Sequence, residues 1–148
     1  MPLAERRAEA VWEGNLTKGS GRVKPASSGA FPEVPVTWAS RVERPDGKTS
    51  PEELIAMAHA SCYAMAFSHT LAEAGSPPER VHVTATCQLE SVPGGIKIAT
   101  INLDVRGRVP GINQATFEEL ARKGEQGCPV SNSLRNNVQI NVKATLEG

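Results

Sequence analysis

The sequence predicts an α+β fold in which mostly antiparallel strands surround one long, buried central helix. Thr49 to Gly75 is the only long helix pattern in the chain. Period-two alternation of apolar and polar residues occurs on both sides of it, most clearly at Val81, Val83, Ala85, Cys87 and Leu89. Pro93-Gly94-Gly95 then turns that run into a second one, in which Ile101, Leu103 and Val105 share a face. With 148 residues and 15.7 kDa, no repeat and no linker, the chain reads as one domain over residues 1–148.

The elements follow in order. Glu5 to Trp12 alternates as a strand, Asn15 to Gly21 is rich in turn residues, and Val23 resumes an extended pattern, which makes an N-terminal hairpin. VPVTWASRVE is β-branched and aromatic and reads as a strand with Arg41 near its end, closed by Pro45-Asp46-Gly47. The central helix has Ser50 as N-cap, Pro51 at its first position and Glu53 three residues after the cap, and it stops at Gly75 before Pro77 and Pro78. Its roughly 24 residues span roughly 36 Å. Leu54, Ile55, Met57, Ala58, Ala60, Ala64, Met65, Ala66, Phe67 and Leu71 make it apolar on most of its circumference, which implies burial on nearly all sides and suggests a second chain to cover it. A polar helix over Ala115 to Gln126 presents Phe117, Leu120 and Ala121. It ends at Gly127, Cys128-Pro129 opens a short helix, and Val138, Ile140 and Val142 alternate in a last strand.

Composition narrows the function. The formal net charge is zero, so no basic field draws nucleic acid or anionic lipid, and neither is expected as a partner. The first ten residues mix acidic and basic side chains without an apolar run. His59, Ser61, Ser68 and His69 interrupt the central helix, so the expected location is soluble and cytoplasmic. Three widely spaced cysteines do not make a disulfide scaffold and leave reactive thiols or metal ligands as the chemistry to weigh.

Each thiol has a structural reading beside a chemical one. Cys87 takes a core-facing strand position and behaves as a small hydrophobe. Cys128, before Pro129, sits at a helix N-cap where free N–H groups favour a thiolate, but an ordinary turn cysteine fits the same pattern. Cys62 alone is a mid-helix core thiol. It becomes reactive only beside a cation, for which Arg41 and Arg44 are the candidates on neighbouring elements. His59, three residues before Cys62, reads as a packed helix histidine rather than a base, because a reactive thiolate needs a cation more than a base.

Three motifs resemble the OsmC/Ohr family of thiol-dependent organic hydroperoxide reductases, and more closely its OsmC branch. They are Trp12-Glu13-Gly14; Ser50-Pro51-Glu52-Glu53-Leu54-Ile55 leading through Ala58-His59-Ala60 to Cys62; and Gly127-Cys128-Pro129-Val130-Ser131. The similarity runs from residue 8 to 146 in family order. It implies an OsmC-like fold in a tightly intertwined homodimer, with Cys62 as peroxidatic nucleophile, Cys128 as resolving cysteine, and Arg41 and Glu52 as the supporting pair; because separation would expose the apolar faces of the central helix, that dimer is expected to be obligate. It also implies an organic hydroperoxide as substrate, an external monothiol or dithiol as reductant, and no metal or organic cofactor. The Arg41 to Pro51 loop is about one residue longer than in the branch, which bears on whether Arg41 or Arg44 has the arginine role.

The residue types suit that chemistry. A thiolate attacks one peroxide oxygen, an alkoxide leaves, and the resulting sulfenic acid condenses with a second thiol. An arginine holds the thiolate charge and a carboxylate pins the guanidinium. Met57, Tyr63, Met65 and Phe67 are apolar candidates for the substrate side, with simple packing as the alternative for most of them. Glu52 precedes Cys62 by ten residues, roughly 15 Å of helix, so it cannot reach its own Cys62 and is expected to serve the thiol of a second subunit. Two rival functions fit the same residues. One is a zinc site from His59, Cys62, Cys128 and Glu52; the other is a non-catalytic ligand-binding stress protein of the same fold.

Overall fold

The structure, a computed structural model, describes residues 1–148. They form two compact units, Met1–Leu54 and Ile55–Gly148.

The first unit carries a three-stranded antiparallel sheet in the order β1 (Glu9–Glu13), β2 (Ser20–Lys24), β3 (Val34–Val36). The expected hairpin is present, although its first strand begins at Glu9 rather than Glu5. Trp12 explains the local sequence. Its Nε1 donates to the Gly14 carbonyl at 3.1 Å, and its ring covers Gly21, where a Cβ would meet Trp12 Cε3 at 2.6 Å. Gly14 itself takes φ +93°, open to glycine at little cost.

The strand expected over VPVTWASRVE stops at Val36, and Arg41 instead lies on a short helix, α1 (Trp38–Val42). Local capping outweighs β propensity here. Thr37 Oγ1 accepts from Ser40 N at 3.0 Å while Ser40 Oγ accepts from Thr37 N at 2.9 Å, a reciprocal capping box. Ser40 Oγ also donates to the Thr49 carbonyl at 2.9 Å, and Thr49 N donates to the Pro35 carbonyl at 3.0 Å. The turn between α1 and the long helix is thereby fixed.

That helix is α2 (Pro51–Glu73). Ser50 Oγ accepts from Glu53 N at 3.1 Å, as expected of an N-cap. Glu53 does not complete the box; its Oε1 accepts from Thr49 Oγ1 at 2.7 Å. Gly75 at φ +85° ends the helix, with Ser76 N reaching back to the Leu71 carbonyl at 2.9 Å. Burial on nearly all sides is not found within one chain. In the second unit, His59, Tyr63, Phe67 and Leu71 form a fully buried stripe at every fourth position, while Met57 and Met65 are 57% and 69% exposed.

The second unit also holds β4 (Arg80–Val92) and β5 (Gly95–Arg108), an antiparallel hairpin about the Pro93-Gly94 turn. Ile101, Leu103 and Val105 of β5 are buried as their alternation predicts. The last strand, β6 (Gln139–Leu146), pairs with β5 in parallel, so this sheet is mixed rather than antiparallel. Two helices between them, α3 (Gln114–Gln126) and α4 (Pro129–Leu134), supply the connection that a parallel neighbour requires. Phe117 of α3 tilts against Phe67 at 5.1 Å between centroids, Tyr63 Oη donates to the Ala121 carbonyl at 2.8 Å, and Gly124 lets α3 approach the Phe67 backbone. Cys87 is partly buried against this core. No helix is long and apolar enough to cross a membrane.

Candidate active site

The fold brings two of the three sulfurs together. Cys62, midway along α2, and Cys128, the N-cap of α4, lie with Sγ atoms 3.3 Å apart although 66 residues separate them. Cys128 is fully buried and Cys62 partly so. Their environment acts against ionisation of Cys62: burial pushes its thiol up from the usual range, and the hydrogen bond and charge of Cys128 push the same way. One group opposes them. The main-chain N–H of Val130, in the first turn of α4, hydrogen-bonds the Cys62 sulfur and favours its thiolate. The sequence led us to expect the free N–H groups of α4 to serve Cys128. Cys128 makes no cap hydrogen bond, and the donor goes across to its partner.

Around the pair lies a set of polar side chains that are all but buried. His59 Nε2 and Ser131 Oγ are 2.6 Å apart, and both residues have no exposed surface. His59 is thus the packed helix histidine that was expected. Burial lowers its pKa below the ordinary 6.5, with the charge of Glu125 partly offsetting this, so the ring is neutral at pH 7. His59 Nδ1 has no hydrogen-bond partner, so Nε2 is the ring nitrogen that engages a neighbour, Ser131. Glu125 is 7% exposed and pairs with Arg135, Nη1 to Oε1 3.0 Å, in a contact not aligned as a hydrogen bond. Tyr63 is held as the neutral phenol by burial and by the charges of Glu125 and Cys128.

The first unit contains the expected arginine and carboxylate as a pair. Glu52 Oε1 accepts from Arg41 Nε at 3.0 Å and Nη2 at 2.8 Å, and Oε2 accepts from Nε at 3.2 Å. The Glu52 side chain is 8% exposed and that of Arg41 26%, so the pair is largely removed from water. Arg44 is exposed, and it is Arg41 that the carboxylate grips. The guanidinium lies 5.9 Å from the Trp38 ring centroid, and its Nη1 hydrogens are not used by Glu52. Beside it opens a cavity of about 350 Å³ lined mainly by apolar side chains, among them Trp12, Leu16, Trp38 and Leu54.

The site therefore differs in two respects from the sequence expectation. Tyr63 and Phe67 are core and offer no surface to a substrate, whereas a cavity is lined by Leu16 and Trp38, which carry no sequence signal for it, and by Trp12, present in the sequence only as part of the Trp12-Glu13-Gly14 motif. The zinc alternative is not supported. No three His, Cys, Asp or Glu side chains converge as a metal requires, and His59 Nε2 is committed to Ser131.

Two cysteine sulfurs held this close on separate elements define a dithiol redox protein of the α+β class. Comparison with known proteins makes that narrower. Residues 44–143 match the protein-family model OsmC, described as OsmC-like protein. The peroxiredoxin OsmC of Escherichia coli K12 is 38% identical over 138 residues, 93% of this chain and 95% of that one. The organic hydroperoxide resistance protein of Xanthomonas axonopodis pv. citri is 30% identical over 95 residues, 64% of this chain and 65% of that one. Among solved structures, the organic hydroperoxide resistance protein OhrB of Bacillus subtilis superposes with TM-score 0.74 at 20% identity, covering 94% of this chain and 98% of the other. An OsmC protein of Legionella pneumophila gives 0.72 at 24% identity, covering 98% and 99%. The chain belongs to the OsmC family. Membership and the sulfur pair together make it a thiol-dependent peroxidase.

Proposed function

We propose that the chain reduces organic hydroperoxides to alcohols with Cys62 as the peroxidatic thiol and Cys128 as the resolving thiol, aided by Arg41 and Glu52. The observation that carries this reading is the 3.3 Å approach of the two sulfurs. The Cys62 thiolate attacks the terminal peroxide oxygen, so that an S–O bond forms, the O–O bond breaks and the alkoxide takes up a proton. Cys128 then attacks the oxidised sulfur, the S–S bond forms and water leaves, and an external monothiol or dithiol restores both thiols. Arg41 supplies what the sulfur environment lacks, a cation for the thiolate, and Glu52 fixes its orientation. The apolar cavity beside Arg41 suits an alkyl or acyl substituent, and the names of the Escherichia coli and Xanthomonas relatives agree with peroxide chemistry.

The same proposal includes an obligate homodimer. Support comes from apolar side chains that one chain leaves open, Met57 and Met65 on α2 and Val11 and Trp12 on β1. Glu52 precedes Cys62 by ten positions on one helix, so the arginine and carboxylate that serve one thiol come from the other subunit. A reducing compartment, the cytoplasm, is the setting in which an external thiol can recycle the pair.

The test is thiol-dependent consumption of cumene hydroperoxide. Cys62→Ser should abolish it, and Cys128→Ser should complete the first oxidation but not the cycle. Mixed dimers of Arg41→Ala and Cys62→Ser chains should regain activity that neither variant has alone; mixtures that remain inactive would rule out sharing between subunits.

A further inference from the structure

The mechanism uses neither His59 nor Ser131, yet these residues form a hydrogen bond between two side chains without exposed surface. Their positions along the chain give it meaning. His59 is three residues before Cys62 on α2, and Ser131 is three residues after Cys128 on α4. The bond therefore joins the two helices about one turn from the sulfur pair, and on matching sides of it. We propose that His59 and Ser131 are positioning residues for the resolving step, fixing the gap between α2 and α4 so that Cys128 meets the oxidised Cys62 at once. This inference rests on the peroxidatic and resolving roles proposed above.

The rest of the α4 region shows why this one bond has that importance. Cys128 N donates to the Glu125 carbonyl at 3.1 Å, Asn132 Nδ2 to the Gln126 carbonyl at 3.0 Å, and Arg135 Nη2 to Asn132 Oδ1 at 2.9 Å. With the Arg135 and Glu125 ion pair, these contacts tie α4 to the end of α3. None of them refers α4 to α2; the Val130 N–H and Cys128 do so only through the Cys62 sulfur, which changes on oxidation, whereas the His59 and Ser131 bond does so independently of it. Separating its partners would leave two fully buried polar groups unpaired, a costly arrangement.

Chemistry gives the fixed gap a purpose. A sulfenic acid at Cys62 has two fates: attack by Cys128, or attack on a second hydroperoxide molecule, in which the sulfur gains another oxygen as sulfinic acid and another alcohol is released. The second product is not returned by thiols. Closure requires the sulfurs to move from 3.3 Å to about 2.05 Å, so any loosening of α4 favours the dead end.

The experiment follows reduced full-length protein after mixing with cumene hydroperoxide, with the sulfenic, disulfide and sulfinic forms separated by rapid quench and intact mass. Misplacement by about 1 Å can cost about 100-fold in an oriented reaction. Ser131→Ala should accordingly slow disulfide closure by about 10-fold or more. The first oxidation should change by less than about threefold, and sulfinic product should appear at peroxide doses that give wild-type protein only disulfide. Ser131→Thr, which keeps the hydroxyl, should restore closure. His59→Leu with Ser131→Ala removes both polar partners and leaves none orphaned, so it folds even where the single change is too costly, and it should also close slowly. Closure at the wild-type rate in the double variant, or equal slowing of both steps, would overturn the inference. Wild-type protein that consumes no hydroperoxide would overturn the roles of Cys62 and Cys128 and the inference with them.

Discussion

Gly124→Ala links packing to chemistry in a way that can be worked out beforehand. A Cβ at this position would lie 3.0 Å from Phe67 Cα and 3.2 Å from Phe67 Cβ, both fixed parts of α2 rather than the end of a flexible side chain. Carbon contacts are most favourable near about 3.5–4.0 Å, so α3 must move away from α2 by about 0.5 Å. Alanine gains about 1 kcal/mol of helix propensity, overpacking costs about 1–3 kcal/mol, and the expected net effect is a destabilisation of about 0–2 kcal/mol. The displacement also has a chemical effect. Cys128 follows the end of α3 by two residues and its N–H is bonded to Glu125 of that helix, so its sulfur moves with α3. If about 1 Å costs about 100-fold, about half that distance costs about 10-fold in disulfide closure. Urea denaturation and rapid-quench analysis of the first turnover measure the two effects on the same sample. A Gly124→Ala protein that is destabilised as expected but closes its disulfide at the wild-type rate would show that the packing of α3 does not set the sulfur gap.

Further outcomes follow from other contacts. Arg41→Lys keeps the charge but loses the fork that holds Glu52 through Nε and Nη2; on the proposed roles it should lower kcat/KM by about 10-fold to 100-fold, and an unchanged value would reject arginine geometry as the requirement. His59 has a folded pKa below its unfolded value of 6.5, so the unfolded chain binds a proton that the folded chain refuses. Its contribution to stability is present above pH 6.5 and is lost as pH falls through the folded pKa. Urea midpoints should decline below pH 6.5, and His59→Gln should flatten that part of the profile. Gly107→Ala would set a Cβ 2.6 Å from the buried Phe117 ring, and a loss of about 1–3 kcal/mol is expected in the same unfolding assay.

Some of this was legible in the sequence because it is local. The ends of α2, the Pro93-Gly94 turn, the alternation of β4 and the N-cap position of Cys128 depend on neighbouring residues, and all are found. Propensity misled at Trp38–Val42, where Thr37 and Ser40 cap each other and make a helix of a β-branched stretch. What could not be read depends on residues far apart. The parallel pairing of β6 with β5, the hydrogen bond of His59 to Ser131 across 72 residues, and the Val130 N–H given to Cys62 have no local signature. The apolar circumference of α2 implies burial with the help of a second chain, and one chain alone covers only the His59, Tyr63, Phe67 and Leu71 stripe.

The sulfur environment and the arginine pair are complementary in what they lack. Burial and Cys128 make Cys62 reluctant to ionise, and the single N–H of Val130 is the only group acting on it in the other direction. A thiol in that state is protected from casual oxidation but needs a cation to react. Arg41, conversely, is a charge already paired, and a fully satisfied ion pair would offer little to a thiolate. Its geometry resolves this. Of the five N–H donors of a guanidinium, Glu52 engages two, one on Nε and one on Nη2, and the two on Nη1 and the second on Nη2 are left over. The carboxylate thus fixes the plane of the fork without using all of its donors, and the remaining N–H groups are aimed by a partner that is itself 8% exposed. A lysine ammonium has no such division between donors that anchor and donors that act. On the proposed roles this is why the chemistry requires a pinned arginine rather than any positive charge.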